Sequence, residues 1–282
     1  MSTSNTKELQ YSTAGIPTSD GAGVNMTRII GSPELNMLDP FLLLDAFGSD
    51  KPNDYLAGFP EHPHRGFETV TYMLEGKMRH KDNAGNEGVI EQHGVQWMTA
   101  GKGIVHSEMP EQTEGLLAGF QLWVNLPKAH KMTEPKYQEF KAADIPVEDH
   151  DNGSFIRVIA GKTQQGTLGV INNEFVNPTY LDVTLKCGET FNHTVSKLDN
   201  SMIYMIEGDA EIGSNLAPLA HKQLGILTAG TEVIIKSKSS DIRFLFISAV
   251  PLNEPVARGG PFVMNTKAEI VQAFDDFSSN KF

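Results

Sequence analysis

The sequence has 282 residues, 39% hydrophobic and 21% charged, with 35 acidic against 23 basic side chains and a formal net charge of −12. This length suits two domains of about 100–150 residues each, and no apolar run approaches the roughly 20 residues of a membrane-spanning helix. Both halves are acidic and no Lys/Arg stripe stands out, so the chain lacks the electrostatic footprint of a protein that grips nucleic acid directly.

The first ten residues hold no apolar core of the kind a secretory signal needs, so a cytoplasmic location is expected, with the nucleus open to a eukaryotic chain. Cys187, the single cysteine, agrees, because no disulfide can form within one chain. On the same reading the Asn-x-Ser/Thr triplets at Asn25, Asn152 and Asn192 are chance. Residues 39–45 suit a strand or a buried packing segment. Residues 67–74 are rich in β-branched and aromatic side chains and stop at Glu75-Gly76, which reads as a strand entering a turn. Residues 95–98, 103–106 and 119–124, separated by glycines, read as further strands of an all-β sandwich or barrel.

Two pairs of metal-ligand types bracket this region, His62-Pro63-His64 and His106-Ser107-Glu108. In extended chain, side chains at i and i+2 share a side, so each pair can aim both members at one point. Three neutral imidazoles and a carboxylate suit a first-row transition ion, and a six-coordinate ion keeps two positions for water, substrate or dioxygen. His80 and His93 have no partner at ligand spacing and read as packing or surface residues. Arg65 reads as the partner of a carboxylate.

The segment Tyr72-Met73-Leu74-Glu75-Gly76 recurs as Tyr204-Met205-Ile206-Glu207-Gly208, and Thr99-Ala100-Gly101 recurs as Thr228-Ala229-Gly230 at nearly the same spacing. This order predicts a duplicated domain, 1–135 and 136–282, joined through residues 136–152. Projected by these offsets, the ligand candidates fall on Thr194, Ser196, Ile235 and Ser237, with Glu68 on Asn200 and His193 one position out of register. The second half is therefore expected to lack the metal constellation. Near the end, Thr266 and Glu269 have capping-box spacing, and Ile270, Phe274 and Phe277 fall on one face of a predicted helix.

The stretches at 58–70, 96–110, 122–127 and 260–266, among them Glu61-His62-Pro63-His64-Arg65-Gly66, Thr99-Ala100-Gly101-Lys102-Gly103-Ile104-Val105-His106 and Gly260-Pro261-Phe262-Val263-Met264, resemble the pirin family of the cupin superfamily. The resemblance runs nearly end to end. It implies two antiparallel cupin β-barrels, a bicupin, with a short C-terminal helix and one iron site in the N-terminal barrel, ligated by His62, His64, His106 and Glu108. The general cupin pattern places a glutamate ligand where Glu68 stands and a Pro-x-Gly turn before the last histidine. Here Thr99-Ala100-Gly101 replaces that turn, as in pirin-like proteins, so the resemblance assigns Glu108 as the carboxylate ligand and leaves Glu68 to orient an imidazole or Arg65.

The resemblance implies Fe(II), while Ni, Co, Cu, Mn or Zn suit the same donors and a tetrahedral zinc would close the site to dioxygen. Two functions follow from it. One is a quercetin 2,3-dioxygenase type of enzyme acting on a flavonol-like molecule and O2, with Glu108 as catalytic acceptor of the hydroxyl proton. The other is a non-catalytic, iron-dependent regulator that binds a protein partner, a transcription factor or a metabolic enzyme. A monomer is expected.

Overall fold

The computed structural model describes residues 5–282. The described residues are mostly β, with one α-helix, Lys267–Ser278, and form two compact units. The first comprises Ile16–Ala143 with Leu252–Phe282, and the second comprises the described part of Met1–Gly15 with Asp144–Pro251.

In the first unit a seven-stranded antiparallel sheet runs in the order Lys136–Phe140, Val95–Thr99, Phe67–Glu75, Leu117–Asn125, Phe41–Ser49, Val24–Ile30, Ile16–Asp20. A four-stranded sheet follows the order Phe59–His64, Ile104–Pro110, Met78–Asp82, Glu87–Ile90. Met73, Met78, Ile90, Phe47 and Leu117 form a buried cluster within this unit. The strand segments read at 67–74, 95–98 and 119–124 fall within these elements, and those at 39–45 and 103–106 overlap strands that start at Phe41 and Ile104, because turn-bounded β-branched and aromatic runs are buried best on a pleated surface.

The second unit repeats the plan. Its seven-stranded sheet runs Leu9–Thr13, Leu224–Leu227, Asn200–Glu207, Ile242–Ala249, Thr179–Leu185, Phe155–Ala160, Val147–Asp149, and its four-stranded sheet runs Thr190–Thr194, Glu232–Ser237, Ala210–Ile212, Ala217–Leu219. The repeated Tyr-Met-x-Glu-Gly segments close the same strand, third in each seven-stranded sheet. Both end on a glycine at positive φ, Gly76 at 82° and Gly208 at 68°, where a side chain is disfavoured.

The projection fails at His193. In Thr190–Thr194, Phe191 and His193 are buried while Thr190, Asn192 and Thr194 are exposed, and the His193 ring lies against Phe191 and Phe246. Two residues separate His64 from the next strand, against five after Thr194, so a fixed offset does not carry strand parity across.

The helix Lys267–Ser278 opens with the expected capping box, Thr266 Oγ1 accepting from Glu269 N at 3.2 Å and Glu269 Oε2 accepting from Thr266 N at 2.8 Å. Ile270 and Ala273 are buried against Phe262 and Met264. Phe274 and Phe277, predicted for the same face, are 46% and 37% exposed. Both still turn toward the Phe262 ring, at centroid distances of 4.9 and 6.3 Å, and Phe277 also meets Phe282, so the face is shared although it is only partly covered.

The hairpin before this helix positions the segment carrying His64. Val263 N donates to Arg65 O at 3.0 Å, and the buried Lys131 Nζ donates to Gly66 O, Val263 O and Asn125 Oδ1. Gly66 sits at φ +87°, and a Cβ there would collide with the Val263 carbonyl. Gly66→Ala should therefore lower unfolding stability by about 2–4 kcal/mol, read as a lower urea midpoint of the metal-free protein.

Candidate metal centre

His62 and His64 lie two residues apart on Phe59–His64, and His106 lies on the adjacent strand directly opposite His62. Strand alternation and cross-strand pairing bring the three rings together, with centroids 4.7 Å (His62–His64), 4.4 Å (His62–His106) and 4.9 Å (His64–His106) apart. One ligand atom from each lies within 4.8 Å of the others, and among the described residues no other His/Cys/Asp/Glu group of three does so.

The hydrogen bonds fix which nitrogens these are. His62 Nδ1 is 2.8 Å from Pro60 O and His64 Nδ1 is 3.4 Å from Pro261 O. A carbonyl can only accept, so each ring carries its proton on Nδ1 and keeps a lone pair on Nε2. The two Nε2 atoms are nevertheless 3.0 Å apart. Two lone pairs at that distance repel unless an electrophile lies between them. His106 Nε2 is buried with no hydrogen-bond partner among the described residues. Three imidazole nitrogens facing one another are the donor set of a transition ion, and the residues present fit one.

Burial and the neighbouring His62 push His64 down to about 3, and burial together with the surrounding histidines pushes His106 well below its ordinary 6.5. Both rings are therefore neutral at cellular pH, the form that binds metal.

Glu108 is buried two residues beyond His106, where the pairing with Phe59–His64 shifts register. A register shift re-aims the side chains beside it. The carboxylate accepts from Thr71 Oγ1 at 2.7 Å and from Gln121 Nε2 at 3.4 Å, outside the histidine group. With His62, His64, Thr71 and Gln121 it lines a cavity of about 690 Å³. Phe59 and Trp123 supply apolar wall, and Arg28, which bridges Asp20 and Asp45 at 2.7 and 2.8 Å, supplies a charged one.

Glu68 is turned from this centre. Phe67 meets the His64 ring and Thr71 meets Glu108, so alternation puts Glu68 on the opposite face of its strand, where it accepts from Thr99 Oγ1 at 2.7 Å. The imidazoles and Arg65 take other partners. Arg65 donates to Asp276 Oδ2 at 2.8 Å and lies over the Phe282 ring.

His80 is not the detached residue its spacing suggests. It is fully buried, with its Nδ1 3.4 Å from His106 Nδ1 and its Nε2 3.2 Å from Asp82 Oδ2. The available sign was the i, i+2 pair His80-Lys81-Asp82 on one strand, the same parity that marks His62 and His64. His93 sits at a turn with φ 60°.

Residues 23–124 match the Pirin family and residues 180–282 match the pirin C-terminal cupin domain. A pirin-like protein of Caulobacter vibrioides is 51% identical over 268 residues, covering 95% of this chain and 96% of its own. The chain belongs to the pirin family. Among solved structures, a quercetin 2,3-dioxygenase from Acinetobacter baumannii superposes with a TM-score of 0.89 at 36% identity, with 98% of each chain covered. A bacterial pirin from Escherichia coli, crystallised with nickel(II), shares the pirin fold at a TM-score of 0.65 and 20% identity, over 84% of this chain and 95% of that one. The two-barrel pirin fold expected from the sequence is thus established. No helix among the described residues is long and apolar enough to cross a membrane.

The lowered His64 value has a pH signature in this pirin. The unfolded chain binds more protons than the folded one between about 6.5 and about 3, so stability is complete above pH 6.5 and falls as pH drops through that window. Urea unfolding of metal-free protein should show about 2 kcal/mol less stability at pH 5 than at pH 7.5 from this ring, and His64→Leu should flatten that slope.

Proposed function

We propose that this pirin is a mononuclear iron(II) dioxygenase of the quercetin 2,3-dioxygenase type, which opens a flavonol ring with dioxygen. The observation that carries the reading is the meeting of three imidazole nitrogens, with His62, His64 and Glu108 lining a cavity sized for a fused aromatic. The similarity to the Acinetobacter baumannii quercetin 2,3-dioxygenase across both chains supports it.

His62, His64, His106 and Glu108 would hold the ion. Bound there, iron(II) would supply Lewis-acid polarisation of a chelated hydroxyl and a redox couple for dioxygen. The rest falls to the chain's own groups. Thr71 and Gln121 donate to the two Glu108 oxygens and hold the carboxylate at the cavity wall, where it accepts the proton released by a flavonol 3-hydroxyl. Trp123 and Phe59 offer apolar faces to a flat ring system, and the Asp20–Arg28–Asp45 group offers partners to ring hydroxyls. The same histidine set accepts nickel, cobalt, copper, manganese or zinc, so the native ion is decided by supply as well as by donors.

Aerobic incubation of the iron-loaded protein with quercetin should bleach the flavonol absorption and release carbon monoxide. Glu108→Gln should cut turnover by about 10²–10⁴-fold, with iron content measured alongside to separate a lost proton acceptor from a lost ion. One ion per chain is expected by elemental analysis, and His106→Ala should bring this below half occupancy after desalting. Full iron loading without turnover would exclude the dioxygenase and favour a regulator whose surface responds to its metal.

A further inference from the structure

The strand Ile104–Pro110 has two neighbours, Phe59–His64 on one side and Met78–Asp82 on the other. Along Met78–Asp82, Met78, His80 and Asp82 are buried while Arg79 and Lys81 reach solvent. His106 thus stands between the other two metal-facing rings and a buried His80–Asp82 pair. His62 and His64 each have a carbonyl to hold the Nδ1 proton. The Nδ1 of His106 meets another imidazole, 3.4 Å away, whose own preference must be set by something else.

That something is Asp82, which can only accept. With one proton on each ring, His80 donates from Nε2 to Asp82 Oδ2 and accepts at Nδ1. His106 then donates from Nδ1 and keeps its Nε2 bare, in keeping with the partnerless state of that atom. We propose that Asp82 and His80 are positioning residues that select the tautomer of His106 and so create the third metal-binding nitrogen, an inference that rests on reading the three histidines as metal donors.

The surroundings of Asp82 make the idea testable with a one-atom change. Its Oδ1 accepts from Ala84 N at 3.0 Å and Asn86 N at 2.9 Å, while Oδ2 also accepts from Asn86 Nδ2 at 2.9 Å. Two backbone N–H groups require that Oδ1 remain an oxygen. Asp82→Asn therefore places its NH2 at the Oδ2 position, facing His80, and the Asn86 amide turns over to present its oxygen. The chain of bonds reverses. His80 accepts at Nε2 and donates from Nδ1, His106 accepts at Nδ1, and the His106 proton moves to Nε2, into the space the ion needs.

The first measurement uses metal-free, 15N-labelled protein and long-range 1H–15N correlation of the imidazoles, which distinguishes the tautomers without any ion. The wild type should carry the His106 proton on Nδ1, and Asp82→Asn should carry it on Nε2. The second is chelator competition with zinc(II), in which Asp82→Asn and His80→Leu should each bind about 10–100-fold more weakly. His80→Asn, whose amide oxygen can take the place of Nδ1 as acceptor, should return most of the affinity. Urea unfolding of each metal-free variant shows whether a loss follows general destabilisation, which the proposal does not expect for Asp82→Asn. A wild-type His106 protonated on Nε2, or an Asp82→Asn variant with unchanged tautomer and affinity, would overturn the relay. A wild type that shows the expected tautomers yet binds no zinc(II) or iron(II) would instead sink the metal reading and leave the relay standing.

Discussion

Two imidazole nitrogens 3.0 Å apart, with a third beside them, form the arrangement on which the candidate site depends. Such nitrogens left to themselves would rotate, protonate or find water. Each is prevented by a different device. Pro60 and Pro261 carbonyls hold the Nδ1 protons of His62 and His64, while burial keeps His64 and His106 neutral. The cost of keeping an unpaired polar atom such as His106 Nε2 from water is roughly 1–3 kcal/mol, which a cation would offset by coordination.

The orientation of His64 depends on chain far from it in sequence. The Pro261–Val263 segment contributes a carbonyl to the ring, an amide to Arg65 O and a carbonyl to Lys131. Arg65 adds a second attachment through Asp276 and the Phe282 ring. Gly66 leaves room for that approach, because any side chain would occupy the position of the Val263 carbonyl. The histidine turn and the C-terminal hairpin thus form one packed, hydrogen-bonded block, with the ammonium of Lys131 buried at its centre.

Much of this could be read from the sequence because strand parity is a strict rule. His62-Pro63-His64 gave two convergent rings, the repeated Tyr-Met-x-Glu-Gly turns gave the duplication, and Thr266 with Glu269 gave the start of the helix. Several of the unread parts share a cause, which is that they depend on contacts across strands. Nothing in the spacing says that His80 lies behind His106, or that Thr71 and Gln121 draw the Glu108 carboxylate toward themselves. His193 falls out of register only under a fixed offset, which its longer loop breaks, and Phe274 and Phe277 share the face of Ile270 yet stay partly exposed. The Pro261 carbonyl had no sequence signal at all, since every residue has one.

The carbonyl that orients His64 belongs to a residue 197 positions further along the chain. During translation the three histidines therefore leave the ribosome long before the group that holds one of them in place. A nascent chain ending before the hairpin has His62 and His106 on paired strands but lacks the acceptor for the His64 ring, the amide partner of Arg65 O and one of the acceptors of Lys131. The three-histidine group is in this way completed only when the hairpin is in place, since among the described residues no carbonyl nearer in sequence takes over the role of Pro261 O.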